Sequence, residues 1–238
     1  MKSHFLSLLT VLFILLPAVT FAESAEKPIV YKIDIRKDID NTTLLYLRHG
    51  LKEANELNAQ AVVLHMNTYG GLVNIADSMR TAILYNAIPV YVFIDNNAAS
   101  AGALISIACK KIFMRKGASM GAATVVNQVG EAMPDKYQSY MRATIRATAE
   151  AHGKDTLITG TDTTYRWKRD PIIAEAMVDD RVIIPNLIDS GKVLTFTAEE
   201  AIKWRYCEGI AESIDEVIRE HLDFEDYELA SYQPTWVD

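Results

Sequence analysis

From residue 28 the hydrophobic and polar positions follow one period and then another. Ile29, Tyr31, Ile33 and Ile35 alternate with polar neighbours, the two-residue period of a half-buried strand. Leu44, Leu47, Leu51 and Ala54 then recur at helical spacing, with Asp40 or Asn41 placed to cap the first turn. Residues 61–66 are almost continuously apolar, as in a buried parallel strand, so His65 within them is expected to be a core histidine. After the turn at 67–71, Leu72, Ile75, Ala76, Met79, Ala82 and Ile83 make one helical stripe, and residues 89–94 return as a strand. This is a β-α-β unit. Its crossover is right-handed in nearly all proteins, which predicts an α/β fold with a mostly parallel sheet and helices on its faces.

The alternation continues. Residues 95–99 read as a loop, 100–109 as a short, almost wholly apolar helix, 111–114 as a strand and 116–121 as a turn. Residues 134–153 form the clearest amphipathic helix, with Tyr137, Tyr140, Met141, Thr144, Ile145 and Thr148 on one face and Arg142, Arg146 and Glu150 largely on the other. Periodicity is lost over 156–170, which reads as a loop or flap. Thr197 with Glu200 and Ser213 with Glu216 both match the capping box.

Composition narrows the class. The 238 residues are 50% hydrophobic and 23% charged with a formal net charge of −7, ordinary for a globular core and unsuited to nonspecific nucleic-acid binding. Lys2, an apolar run over 5–16, Pro17 and small residues up to Ala22 read as a signal peptide over 1–22, so the domain is expected to be exported, in a periplasmic or other extracytoplasmic setting. The expected division is a single domain over 23–225 and a C-terminal tail over 226–238. Only Cys109 and Cys207 are present, both in apolar settings, and two buried thiols are expected. No Cys/His cluster has metal-ligand spacing, and neither metal nor cofactor is expected.

Ligands of an open parallel sheet meet the loops at the carboxyl ends of its strands. Two such loops hold chemistry: Gly70-Gly71, whose backbone N–H groups are open to close approach, and Ser100, at the start of the apolar helix. Taken alone, Ser100 reads first as a helix N-cap. The surrounding Ala98, Ala99, Ala101, Gly102 and Ala103 favour a nucleophile instead, because small residues allow close backbone approach around one hydroxyl. Such a serine needs a base, and the histidines are poorly placed for it. Lys136, one residue before the apolar face of its helix, is the better candidate if its amine enters a partly buried cleft.

The segments 66–71 (MNTYGG), 97–103 (NAASAGA), 117–124 (GASMGAAT) and the Lys136 helix ending at 149–154 (AEAHGK) resemble the NfeD family of membrane-bound serine proteases, the ClpP-class partners of stomatin-like proteins. The match runs in order from about residue 28 to 220. It implies a ClpP/crotonase-like spiral of β-α-β units and a Ser-Lys endopeptidase. By position, Ser100 would be the nucleophile and Lys136 the base, with the N–H groups of Gly70, Gly71 and Ala101 as the oxyanion hole. The resemblance also implies cleavage within apolar stretches of a membrane-associated protein, a stomatin-like partner, membrane association and a homodimer.

The chain departs from the family in three places. Tyr69 stands where the family usually has proline, the 156–170 segment looks longer than in compact members, and longer members continue into transmembrane helices and a small β-barrel domain. The chain is thus expected to be a fragment or a short form. Two other functions compete with the protease: a catalytically degenerate domain that holds an extended peptide, and, more weakly, a crotonase-type acyl-CoA enzyme. The latter usually needs a carboxylate acid or base, which the residues around Ser100 do not offer.

Overall fold

The computed structural model describes residues 27–233; the expected signal peptide lies outside them. Strands and helices alternate through the first half: β1 (Ile29–Ile35), α1 (Asn41–Glu56), β2 (Ala61–Thr68), α2 (Val73–Leu84), β3 (Val90–Ala99), α3 (Ala101–Ala108) and β4 (Ile112–Met114). There follow β5 (Ser119–Gly121), α4 (Asp135–Glu150), β6 (Lys154–Thr159), β7 (Asp162–Trp167), α5 (Pro171–Ala176), β8 (Thr195–Thr197), α6 (Ala198–Lys203), β9 (Gly209–Ile210), α7 (Ile214–Glu216) and β10 (Glu228–Ser231). The main sheet runs β10-β1-β2-β3-β4-β9 with every pairing parallel, and β5 joins β3 in parallel while β8 joins β5 antiparallel.

Both faces of this sheet are covered, which is why β2 reads as an unbroken apolar run. Val62, Leu64 and Met66 face the larger core beneath α1 to α4, and Val63 joins Val30, Phe93 and Phe113 against Val217 and Ile218 on the other side. Asp40 caps α1 by accepting from the Thr43 N–H at 2.9 Å. Thr197 and Glu200 form the reciprocal box expected of them. At the second start only half the box forms: Ser213 accepts from the Glu216 N–H, but the Glu216 carboxylate takes the Glu212 N–H at 2.8 Å.

Several further expectations change. Residues 95–99 are not a loop, because β3 continues to Ala99 by pairing Asn97–Ala99 with β5, and its small residues lack a strand's apolar signature. The segment 156–170 is mostly ordered as the antiparallel hairpin β6–β7, closed by the two residues Gly160 and Thr161. It pairs with no other strand, so its residues lack the alternating apolar face that would have marked it. Within the expected tail, residues 228–231 form β10 along the edge of β1. Finally, His65 is no apolar-core histidine: its ring nitrogens lie 3.0 Å from an Asp34 carboxylate oxygen and 3.2 Å from one of Asp95. The parallel register places Asp34 beside His65, a juxtaposition that neither strand's own pattern reveals.

On α4 the buried face is Met141, Thr144, Ile145, Thr148 and Ala149, while Tyr137 and Tyr140 are exposed, contrary to the expected stripe. The first turn of α4 projects beyond the core, and Tyr140 donates to Asp77 at 3.2 Å on the surface of α2. Arg142 and Arg146 pair with Asp179 and Glu175. Both cysteines are free and buried, and burial raises each thiol to about 12, so neither is poised as a nucleophile. Among the described residues no helix is long and apolar enough to cross a membrane.

His152, just beyond α4, holds a proton-linked element of stability. Its Nε2 lies 2.7 Å from the Ile107 carbonyl at the end of α3, and burial, with Arg169 nearby, lowers its pKa from 6.5 to about 4. The unfolded chain takes up a proton near pH 6.5 that the folded chain refuses until about pH 4. Stability is therefore full above pH 6.5 and declines as pH falls through that window, by on the order of 2 kcal/mol. Urea midpoints measured from pH 7 to pH 4 should fall, and His152→Gln should flatten that slope. An equal slope in both proteins would refute the assignment.

Candidate active site

Ser100 stands at a junction with no linker on either side. β3 ends at Ala99, α3 begins at Ala101, and the residue between adopts φ 53° and ψ −117°. A non-glycine residue pays for that conformation, and such strain clusters where a side chain must be aimed. The expected capping role is absent: the Ser100 side chain makes no hydrogen bond to the helix it precedes. Its backbone is fixed instead, with its N–H donating to Gly121 O at 2.8 Å and its C=O accepting from Ala103 N at 3.0 Å. All eight residues of α3 are buried, so the helix that follows the serine is an anchored element.

The half-buried Ser100 lines a cavity of about 620 Å³ together with Gly71, Ala101, Leu72, Val73 and Met141. One wall is residues 122–128. That wall is held by main-chain and side-chain bonds: Ala122 N to Leu194 O at 3.0 Å, Ala123 N to Met177 O at 2.6 Å, and Thr124 Oγ1 to Val178 O at 3.0 Å. Gln138 on α4 clamps it further, accepting from Val125 N at 3.0 Å and donating to Val125 O at 2.7 Å and Met133 O at 3.1 Å.

The two glycines do different things. Ile39 bridges Gly71 in parallel fashion, donating to Gly70 O and accepting from Leu72 N, each at 2.8 Å. In that pattern the bridged residue turns its own N–H away from its partner. Gly71 is exposed at the cavity with its N–H outside the bridge, and a Cβ there would meet Ile39 O at 2.3 Å. Gly70 is buried against the serine, where a Cβ would come within 2.6 Å of Ser100 Cβ. Its N–H, expected as an oxyanion donor, instead donates to Thr68 Oγ1 at 3.1 Å. Ala101, at the first position of α3, has an N–H without an intrahelical acceptor. Two open donors therefore flank Ser100, and the third holds the loop in shape.

Lys136 sits apart from this arrangement. It is exposed in the first turn of α4, its ammonium lies 4.8 Å from the centre of the Tyr137 ring, and it does not line the cavity. The partly buried cleft expected for it is not where its side chain rests. Sequence reasoning also missed Thr68 and Gln138, since neither carries a signal beyond a polar residue near an element's end.

Comparison with known proteins gives the wider frame. Residues 29–232 match the family described as NfeD1b, N-terminal domain. The chain is 31% identical over 225 residues to membrane protein NfeD1b of Bacillus subtilis (strain 168), covering 94% of this chain and 48% of that one. It is 26% identical over 227 residues to membrane-bound protease PH1510 of Pyrococcus horikoshii, covering 92% and 44%. The chain thus spans about half the length of the curated relatives it matches. Among solved structures, a lysine-to-alanine variant of the 1510-N membrane-bound stomatin-specific protease, in complex with a substrate peptide, superposes with TM-score 0.71 at 24% identity over 90% of this chain and 95% of that one. ClpP1 from Listeria monocytogenes follows at TM-score 0.54 and 14% identity, over 78% and 94%. The fold is therefore ClpP-like, consistent with the β-α-β order and parallel sheet, and the chain belongs to the family of NfeD1b N-terminal domains.

Proposed function

We propose that this chain is a serine endopeptidase in which Ser100 is the nucleophile and Lys136 the general base. The observation that carries the reading is the strained, uncapped Ser100 hydroxyl between two open backbone donors at an apolar cavity. A neutral Lys136 amine takes the Ser100 proton as Oγ attacks the scissile carbonyl. Negative charge gathering on that carbonyl's oxygen is met by the N–H groups of Gly71 and Ala101, the latter at the positive end of α3. The ammonium then returns its proton to the leaving amine, and water hydrolyses the acyl-enzyme by the reverse sequence.

The Lys136 amine must move for this. Its contact with the exposed Tyr137 ring is worth about 0.5–1 kcal/mol, little enough for substrate to displace, and catalytic hydrogen bonds commonly tighten only in the complex. Lys136→Ala is expected to lower kcat/KM by roughly 10²–10⁴-fold on peptides with apolar stretches, measured by product chromatography. Undiminished cleavage would remove Lys136 from the mechanism.

The cavity wall of Leu72, Val73, Val126 and Met141 suits an apolar peptide segment. The names of PH1510 and of the 1510-N structure, a protease specific for stomatin, support a stomatin-like membrane protein as substrate and partner. We place the chain at a membrane outside the cytoplasm, as a homodimer, after removal of residues 1–22. A size measurement in solution and N-terminal sequencing of the secreted protein test the last two points.

The exposed position of Lys136 favours one competing reading, a peptide-binding domain without turnover. Peptide binding by calorimetry with no product over hours, unaltered in Ser100→Ala, would establish it in place of the protease.

A further inference from the structure

A second cavity, of about 390 Å³, opens between α3, β4 and the base of the β6–β7 hairpin. The Lys110 N–H donates to the Val90 carbonyl at 2.7 Å, and Val90 opens β3, whose other end leads into Ser100. A strand of ten residues spans about 30 Å, so this cavity lies on the opposite rim of the sheet from the serine.

Its lining carries five cations against two carboxylates, in a chain whose formal net charge is −7. The carboxylates are already engaged: Glu208 pairs with Arg169 at 3.3 Å and Asp155 with Arg205 at 3.4 Å. Among the described residues Lys110 and Lys168 form no ion pair, Lys111 feels only the charge of Glu208, which Arg169 already engages, and all three line one opening. His152, also in the lining, adds no charge near neutral pH. Arg169 supplies the buried back of the site. Its side chain is 2% exposed and donates to the Cys109 carbonyl at 2.9 Å, yet its Nε has no hydrogen-bond partner. Three lysines at one opening, with only the already engaged Glu208 acting on one of them, repel one another. An anion entering the cavity offsets the repulsion among the lysines.

We propose that this cavity binds a phosphate-bearing ligand. Phosphate provides several acceptor oxygens and more than one negative charge, matching a surplus of three cations better than a single carboxylate does. The volume exceeds that of a bare phosphate, so the group arrives on a larger molecule: a soluble phosphate ester or the headgroup of an anionic phospholipid. The site is independent of the peptidase reading.

The test uses the full chain. Inorganic phosphate is titrated by calorimetry at constant ionic strength against a chloride control, and co-sedimentation is measured with vesicles of phosphatidylcholine alone or equimolar with phosphatidylglycerol. The double variant Lys110→Gln/Lys168→Gln replaces two exposed side chains, and its melting temperature verifies the fold. Saturable phosphate binding, weakened about tenfold or more in the variant, is the expected result. Vesicle binding that requires phosphatidylglycerol, is competed by phosphate and is lost in the variant identifies a headgroup; phosphate binding without vesicle binding identifies a soluble ester. The proposal is overturned if neither probe binds, if chloride reproduces the effect, or if the variant binds as well as the parent.

Discussion

Replacing Ser100 by alanine is expected to abolish peptide cleavage, by roughly 10⁴–10⁶-fold in kcat, without altering the melting temperature by more than a degree or so. The hydroxyl makes no capping bond, so its removal leaves no structural donor or acceptor unpaired. Glycine at the same position gives a sharper test. The φ of 53° and ψ of −117° are costly for any residue with a Cβ, and alanine keeps that cost while glycine releases it. Ser100→Gly should be as inactive as Ser100→Ala but more stable than it by about 1 kcal/mol, a rise of roughly 2–4 °C in Tm for a domain of this size. Chemical denaturation of the two variants side by side isolates the strain, because both lack the hydroxyl. Equal stabilities would mean that the backbone at the serine stores no strain, and residual cleavage in Ser100→Ala would place the nucleophile elsewhere.

The largest stability effect is expected at Arg169. Arg169→Met should cost about 2–3 kcal/mol, less than breaking a fully buried ion pair because the Glu208 side chain stays 33% exposed. The substitution removes the donor to the Cys109 carbonyl at the end of α3, where a cation also complements the helix dipole. It also strands Glu208, whose pKa burial already raises and Arg169 opposes. Arg169→Met/Glu208→Gln should recover part of the loss by removing the unpaired charge. A urea melt showing less than 1 kcal/mol lost, or a double variant no better than the single, would contradict this. Because α3 begins just after the serine and its end at Cys109 is held by Arg169, the single variant is also expected to turn over peptide more slowly than its folded fraction predicts.

What the sequence made legible, and what it hid, divides by range. β1, β2, α1 and α2 were readable because each buries a face against neighbours whose positions the pattern itself implies. The two loops that line the cavity stand out in the sequence for a related reason: their features are local, a paired glycine and a serine amid alanines. The continuation of β3 to Ala99 was hidden, since its partner β5 lies twenty residues on and small residues carry no period. Asp34, His65 and Asp95 meet only through strand register. The N–H of Gly70 is taken by Thr68 two residues earlier, a local bond that the paired glycines do not signal. Lys136 shows the limit most clearly: its place at the head of α4 was apparent, but the direction of a four-carbon side chain depends on whether a ring or a cleft receives it.

The Gln138 clamp has a consequence for how such a cavity diversifies. It grips its wall through the main-chain N–H and C=O of Val125, and Met133 N returns to Val125 O at 2.9 Å, so the wall's position depends little on the side chains it carries. Val126 and Gln128 face the cavity from a frame that does not need them. Substitutions at Val126 and Gln128 are therefore expected to reshape the cavity's surface while leaving its wall in place.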